Sequence, residues 1–110
     1  VGKFIKGDIV VVPFPFPDLT DQKKRPALVL ATMLGDDVIL CQITSKAVSD
    51  AYALLISDAD IVQGSLQQES NIRPNRLFTA DSKIILRRVG VLAPQKLQHV
   101  VETVIRILTT

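Results

Sequence analysis

For most of its length the chain alternates short apolar runs with polar turns, and near its end the period changes. Residues 7–17 read as a β-strand, because the branched side chains of Ile9, Val10, Val11 and Val12 fit a pleated surface. Pro13, Pro15 and Pro17 fall on one parity, and Val10, Val12, Phe14 and Phe16 on the other. Proline cannot donate to a ladder, so the second half of this strand is expected at a sheet edge or outside the sheet. Residues 18–25 form a polar loop without apolar periodicity. The continuous apolar run 27–31, bounded by Pro26 and by Gly35-Asp36-Asp37, predicts a buried strand. Residues 38–44 are the next strand, and the glycine-aspartate turn joins the two as a hairpin. A fourth strand is expected over 52–56. Weaker strand patterns cover 65–68 and 71–79. Residues 84–86 and 89–92 suggest one more strand, bent at Gly90.

At the C-terminus Leu97, Val100, Val101, Val104, Ile105 and Leu108 recur at helical spacing and make one apolar stripe. Pro94 suits the first turn, where its missing N–H costs nothing, while Ala93 is a poor N-cap. His99 falls opposite the stripe, with Glu102 and Arg106, and so on the solvent face. Five to seven short strands and one terminal helix predict a mainly β (α+β) domain. It is expected to be a small antiparallel barrel or strongly bent sheet carrying the helix.

Length and composition narrow the chemistry more than the fold. The 110 residues make a single domain over 1–110, and 47% apolar residues are ample for its core. One cysteine, Cys41, excludes an internal disulfide framework and a cysteine zinc site. One histidine, His99, excludes a pair of catalytic imidazoles in one chain. No apolar run approaches the roughly 20 residues of a membrane span, and no signal peptide opens the chain, so a soluble, cytoplasmic protein is expected. The net charge of +2 conceals an uneven distribution. Residues 47–69 carry Asp50, Asp58, Asp60 and Glu69 and no base, whereas residues 70–90 carry Arg73, Arg76, Lys83, Arg87 and Arg88 against Asp81. A second basic knot is Lys23-Lys24-Arg25. Folding that joins the knots would create a local positive field despite the near-neutral total.

No phosphate-loop, dinucleotide or His-Glu-x-x-His motif is present. What remains is an arginine and hydroxyl set. Arg25 precedes Pro26, which biases it toward an extended backbone. Thr44 and Ser45 end the strand that begins at Val38, and Lys46 follows. In an antiparallel hairpin, the start of the first strand and the end of the second are neighbours. A guanidinium fork beside a hydroxyl can bind phosphate oxygens.

These residues resemble the MazF/PemK family of toxin endoribonucleases from type II toxin–antitoxin systems. The similarity runs through Gly7-Asp8-Ile9-Val10-Val11-Val12, then Lys24-Arg25-Pro26-Ala27-Leu28-Val29-Leu30 and Ile43-Thr44-Ser45. It continues from Ser70-Asn71-Ile72-Arg73 to Asp81, and closes with Gly90-Val91-Leu92 and the terminal helix. It covers nearly the whole chain in order. The resemblance implies an SH3-like β-barrel of the CcdB/MazF/Kid type with a C-terminal helix, and a homodimer. It implies cleavage of single-stranded RNA at short sequences, with no metal and no cofactor. A cognate MazE/PemI-like antitoxin is implied as partner, with DNA binding through that complex. Arg25 and Thr44 match the family's catalytic pair, with Ser45 the adjacent hydroxyl. The chain departs from the family in the loop before Arg25, where Thr20 occupies the glutamate position and glycine is lacking. Near Ser70, where some members carry an acid, the nearest one is Glu69.

The reaction implied is attack of a ribose 2′-hydroxyl on the adjacent phosphate, giving 2′,3′-cyclic phosphate and 5′-hydroxyl ends. Asp18, Asp21 and Glu69 are the candidate acid/base groups. Lys23, Lys24, Lys46, Arg73 and Arg76 are the expected RNA-backbone contacts. Phe14, Phe16 and Phe78 are the aromatics on which bases could stack. The alternatives are a catalytically inactive RNA- or protein-binding barrel, and a CcdB-like gyrase poison. Against the poison stands the absence of tryptophan and a chain end of Ile107-Leu108-Thr109-Thr110.

Overall fold

A computed structural model describes residues 4–14, 23–46 and 49–110. Its strands are β1 (Asp8–Phe14), β2 (Lys23–Thr32), β3 (Asp37–Thr44), β4 (Leu54–Ile56), β5 (Ile61–Gly64), β6 (Ser70–Asp81) and β7 (Arg87–Leu92). One helix follows, α1 (Pro94–Thr109). The strands form one sheet in the order β4-β6-β3-β2-β1-β7-β5, with every neighbouring pair antiparallel. The sheet curls into a half-barrel whose extents are 31 × 30 × 29 Å.

Curling gives the sheet two apolar clusters, and alternation along each strand divides residues between them. Ile9, Leu28, Cys41, Ile43, Ile56, Ile72 and Leu92 pack with Val100 of α1 in the first cluster. Val10, Val12, Ala27, Val29, Val38, Leu40 and Ile85 form the second. The central strands β1, β2 and β3 are thus buried on both faces, which explains their continuous apolar runs. The opening Gly7-Asp8 also has a structural reason. Gly7 takes φ +98°, and the fully buried Asp8 carboxylate accepts the Ile5 N–H at 2.9 Å to close the turn into β1.

The hairpin of β2 and β3 forms as its sequence predicts, with Gly35 at φ +85° in the turn. Strand β2 starts at Lys23, earlier than the apolar run, and so includes Arg25 and Pro26. Pro26 lies opposite Val11, whose carbonyl accepts the Leu86 N–H on the β7 side. Val11 and Pro26 are therefore a non-hydrogen-bonded pair, and the Pro26 nitrogen faces β3. The β2–β3 ladder begins only at Ala27, opposite Gln42, so the proline sits where no partner asks for its N–H.

Elsewhere the boundaries move. The pattern over 71–79 belongs to one long strand, β6. Opposite Cys41 and Gln42, its register jumps from Leu77 to Arg73, and Pro74, Asn75 and Arg76 fill the bulge. Residues 65–68 are not a strand, and β5 lies just before them, over residues the pattern did not mark. Residues 82–84 form a 3-10 turn, and β7 begins at Arg87. Helix α1 starts at Pro94 with Ala93 as an N-cap that makes no side-chain bond, and His99 is exposed, as the sequence predicts. Its stripe is only half used. Val100 is buried, but Ile105 and Leu108 are 54% and 72% exposed, while Thr103 is buried and its hydroxyl donates to the His99 carbonyl at 2.8 Å. No helix among the described residues is long and apolar enough to cross a membrane.

Candidate active site

Where the β2–β3 ladder stops short of Pro26, the two strands part and leave an open groove of about 440 Å³. Lys24, Arg25 and Pro26 line it from β2, and Ile43, Thr44 and Ser45 from the end of β3. Val11 contributes from β1, and Arg87 and Val89 from β7. The connection from β5 to β6 supplies Ser65, Leu66, Gln67 and Gln68, with Ser70 at the start of β6. Arg25 and Thr44 each lie two residues beyond the last pair of the β2–β3 ladder, Ala27 and Gln42, and both line the groove. The arginine and hydroxyl set expected from the hairpin is therefore brought to one place.

Thr44 is 6% exposed, and its Oγ1 accepts the Lys46 N–H at 3.2 Å. That bond occupies an acceptor site and leaves the hydroxyl proton available to a phosphate oxygen. Ser45, next in the chain, is exposed. Lys24, Arg25 and Arg87 bring three positive charges to the lining, and no carboxylate lines it among the described residues. None of the three has an acidic partner among the described residues. By contrast Arg73, Lys83 and Arg88 pair with Asp50, Asp36 and Asp8. A groove whose described lining carries cations and hydroxyls and no counter-charge is electrostatically complementary to a polyanion.

The remaining candidates divide. Lys46 is exposed directly beside the lining, and Lys23 pairs through its backbone with Phe14. Arg73 and Arg76 do not line the groove. The Arg73 guanidinium instead meets the Asp50 carboxylate at 3.3 Å, and Arg76 lies exposed in the β6 bulge. Asp50 also accepts the Tyr52 N–H at 2.9 Å, and this bond, with Arg73, holds its carboxyl below the usual aspartate value. Together with Asn71, whose amide donates to the Lys46 carbonyl at 3.5 Å, Arg73 ties the segment after β3 to β6. Glu69 is exposed between two lining residues but is not itself part of the lining. Asp18, Asp21 and Phe16 lie outside the described residues, as does the side chain of Phe14. Phe78 packs against the second core cluster. Cys41 is buried, its thiol donates to the Arg73 carbonyl at 3.0 Å, and burial pushes its pKa up to about 12. No cluster of three or more His, Cys, Asp or Glu suited to a metal ion occurs among the described residues.

Arg87 is the charged residue that sequence reasoning passed over. Its signal was present in the basic stretch 70–90, but only the pairing of Val11 with both Pro26 and Arg87 carries it across β1 to the Arg25 knot. The hydrogen-bonding residues of the 65–70 connection were likewise not singled out.

Solved structures place this architecture among the MazF-type barrels. The chain is similar to the Mycobacterium tuberculosis toxin MazF-mt6, at 19% identity and a TM-score of 0.72, over 93% of this chain and 96% of that one. It is also similar to a Deinococcus radiodurans MazE–MazF structure, at 17% identity and a TM-score of 0.75, over 97% of each chain. A mycobacterial endoribonuclease in complex with its cognate antitoxin matches at 10% identity and a TM-score of 0.76, over 96% of this chain and 95% of that one. Among curated proteins no sequence matches the chain. The model of the PemK-like, MazF-like toxins of type II toxin–antitoxin systems matches residues 5–108, and the chain belongs to that family.

Proposed function

We propose that the chain is an endoribonuclease that cuts single-stranded RNA in the groove between β2 and β3, without a metal or other cofactor. The observation that carries this reading is the joining of Arg25, Thr44 and Ser45 in one groove with Lys24 and Arg87, and with no carboxylate among the described lining residues. The reaction is attack of a ribose 2′-oxygen on its own 3′-phosphorus. The new 2′-O–P bond forms as the P–O5′ bond breaks; the 2′-hydroxyl proton passes to solvent and the departing O5′ takes one up from it, leaving a 2′,3′-cyclic phosphate and a 5′-hydroxyl. The RNA supplies its own nucleophile, so the protein's task is to stabilise the charge growing on the non-bridging oxygens. Arg25 offers a two-pronged donor to them, and Thr44 and Ser45 offer hydroxyl protons. No carboxylate or imidazole among the described residues lines the groove, so these residues supply charge stabilisation rather than removal of the 2′-proton.

The same reading makes the chain the toxin of a pair, restrained by an antitoxin and acting as a homodimer in the cytoplasm. The Deinococcus MazE–MazF and mycobacterial antitoxin complexes support the partner. Exposed apolar side chains on the short edge strands, Leu55 and Val62, and on α1, Ile105 and Leu108, supply surface that association would cover.

The test is cleavage of a single-stranded RNA by the purified protein in EDTA, with Arg25→Ala as the control. A cyclic-phosphate end on the product, absent with the variant, is the expected result. Intact RNA, or a requirement for a divalent cation, refutes the mechanism. RNA bound without turnover would instead support a binding barrel.

A further inference from the structure

The groove has a second lining besides its cations. The connection between β5 and β6 leaves β5 at Gly64, where the Ser65 N–H donates to the Val89 carbonyl of β7 at 3.3 Å. It enters β6 at Ser70, next to Asn71, which pairs with Thr44 of β3. Strands β5 and β6 stand near opposite ends of the strand order, so this short connection passes across the mouth of the groove from the β7 side to the β3 side. Its groove-lining residues include Gln67 and Gln68, both exposed. Neither side-chain amide has a partner among the described residues. Gln98, for comparison, donates to Glu102 at 3.0 Å. The backbone beneath is held, since the Ser70 hydroxyl donates to the Gln68 carbonyl at 3.0 Å.

Two uncommitted amides on an anchored backbone face a groove that also holds the cations Lys24, Arg25 and Arg87. No aromatic side chain is among the described residues that line it. A primary amide presents a donor and an acceptor side by side, the pattern that pairs with a base edge and above all with adenine N6 and N7. The geometry points to Gln67 and Gln68 as specificity-determining residues that read the edge of one unpaired base, adenine preferred, while the cations hold the backbone. The inference rests on the proposal that the groove takes RNA.

The experiment compares binding of short single-stranded RNAs that differ at one position, and their cleavage rates, for the wild type and the Gln67→Leu/Gln68→Leu double variant. Leucine keeps the bulk and removes the hydrogen bonds. The wild type should favour adenine at one position by about tenfold or more over the other bases. The double variant should lose that preference while still binding RNA, with an unchanged melting temperature because both residues are exposed. If the variant binds and cuts with the wild-type base preference, this inference fails and the ribonuclease reading stands. A favoured base other than adenine, lost in the variant, keeps the base-reading role and overturns the adenine assignment. If the wild type binds no RNA, both readings fall.

Discussion

Thr44 and Lys46 are joined by a bond from the lysine backbone N–H to the threonine Oγ1 at 3.2 Å, which fills one of the hydroxyl's two acceptor sites and keeps its proton free. With an acceptor site filled, Thr44 is left to donate. Thr44→Ala should lower kcat by about 10²–10³-fold, the usual cost of one lost oxyanion donor, with little change in RNA affinity. Thr44→Ser keeps the hydroxyl and should recover most of the rate. Single-turnover cleavage checks both, and a Thr44→Ala rate near wild type would remove the residue from the mechanism.

Arg25 is expected to act by geometry as well as by charge. Lysine carries the charge but not the planar fork that spans two phosphate oxygens. Arg25→Lys should therefore bind RNA almost normally and cut it poorly, whereas Arg25→Ala should lose both. Equal cleavage by Arg25→Lys and wild type would mean that positive charge alone suffices.

Salt dependence separates the cations of the groove from those outside it. Arg87→Ala should reduce the slope of log K against log salt by about 0.7, the single-strand value for one lost phosphate contact. Arg73→Ala should leave the slope unchanged, because Arg73 is engaged with Asp50. Its effect should fall on stability instead. Asp50 has its pKa lowered from 3.8, so its contribution is present above that value and lost as pH falls through the lower folded-state value. The stability difference between wild type and Asp50→Asn should accordingly persist at neutral pH and shrink in acid, as pH-dependent urea melts would show.

Gly64 adopts φ +79°, and a Cβ there would run into the Val89 carbonyl oxygen, which already accepts the Ser65 N–H. Gly64→Ala should displace the start of the 65–69 connection and unpair β5 from β7. Loss of more than about 2 kcal/mol is expected, in the range of strained backbone sites. Gly35→Ala, at φ +85° but with open space around it, should cost less. Thermal or urea unfolding of the two variants gives the comparison.

Cys41 provides a reporter of opening. Buried and with its pKa pushed up to about 12, it should resist thiol reagents in the native state and react at once in denaturant. Rapid labelling of the native protein would contradict the packing of the first core cluster.

The hairpin was legible in the sequence because everything needed for it is local: an apolar run, a glycine turn, a second run. Arg25 and Thr44 follow from that hairpin alone, since antiparallel ends meet. The terminal helix was equally clear from its period. What the pattern did not carry is long-range. Strand β5 has four residues, none fully buried, so nothing in its alternation marks it. The β6 bulge hides a single strand behind Pro74 and its polar neighbours. The apolar stripe of α1 promised burial for Ile105 and Leu108, but helical spacing names a face, not how much of that face the domain itself covers. Arg73 and Arg87 look alike in sequence. Only strand order sends one to Asp50 and the other to the groove.

Arg25, Thr44 and Ser45 come from a single hairpin, whereas Gln67 and Gln68 come from the connection that passes across the mouth of the groove. On the proposed reading, bond breaking and base choice are encoded in separate stretches of the gene, so mutations in the 65–69 codons would redirect the cutting site and leave the proposed chemical apparatus untouched. A lineage with this layout would change its targets without passing through inactive intermediates.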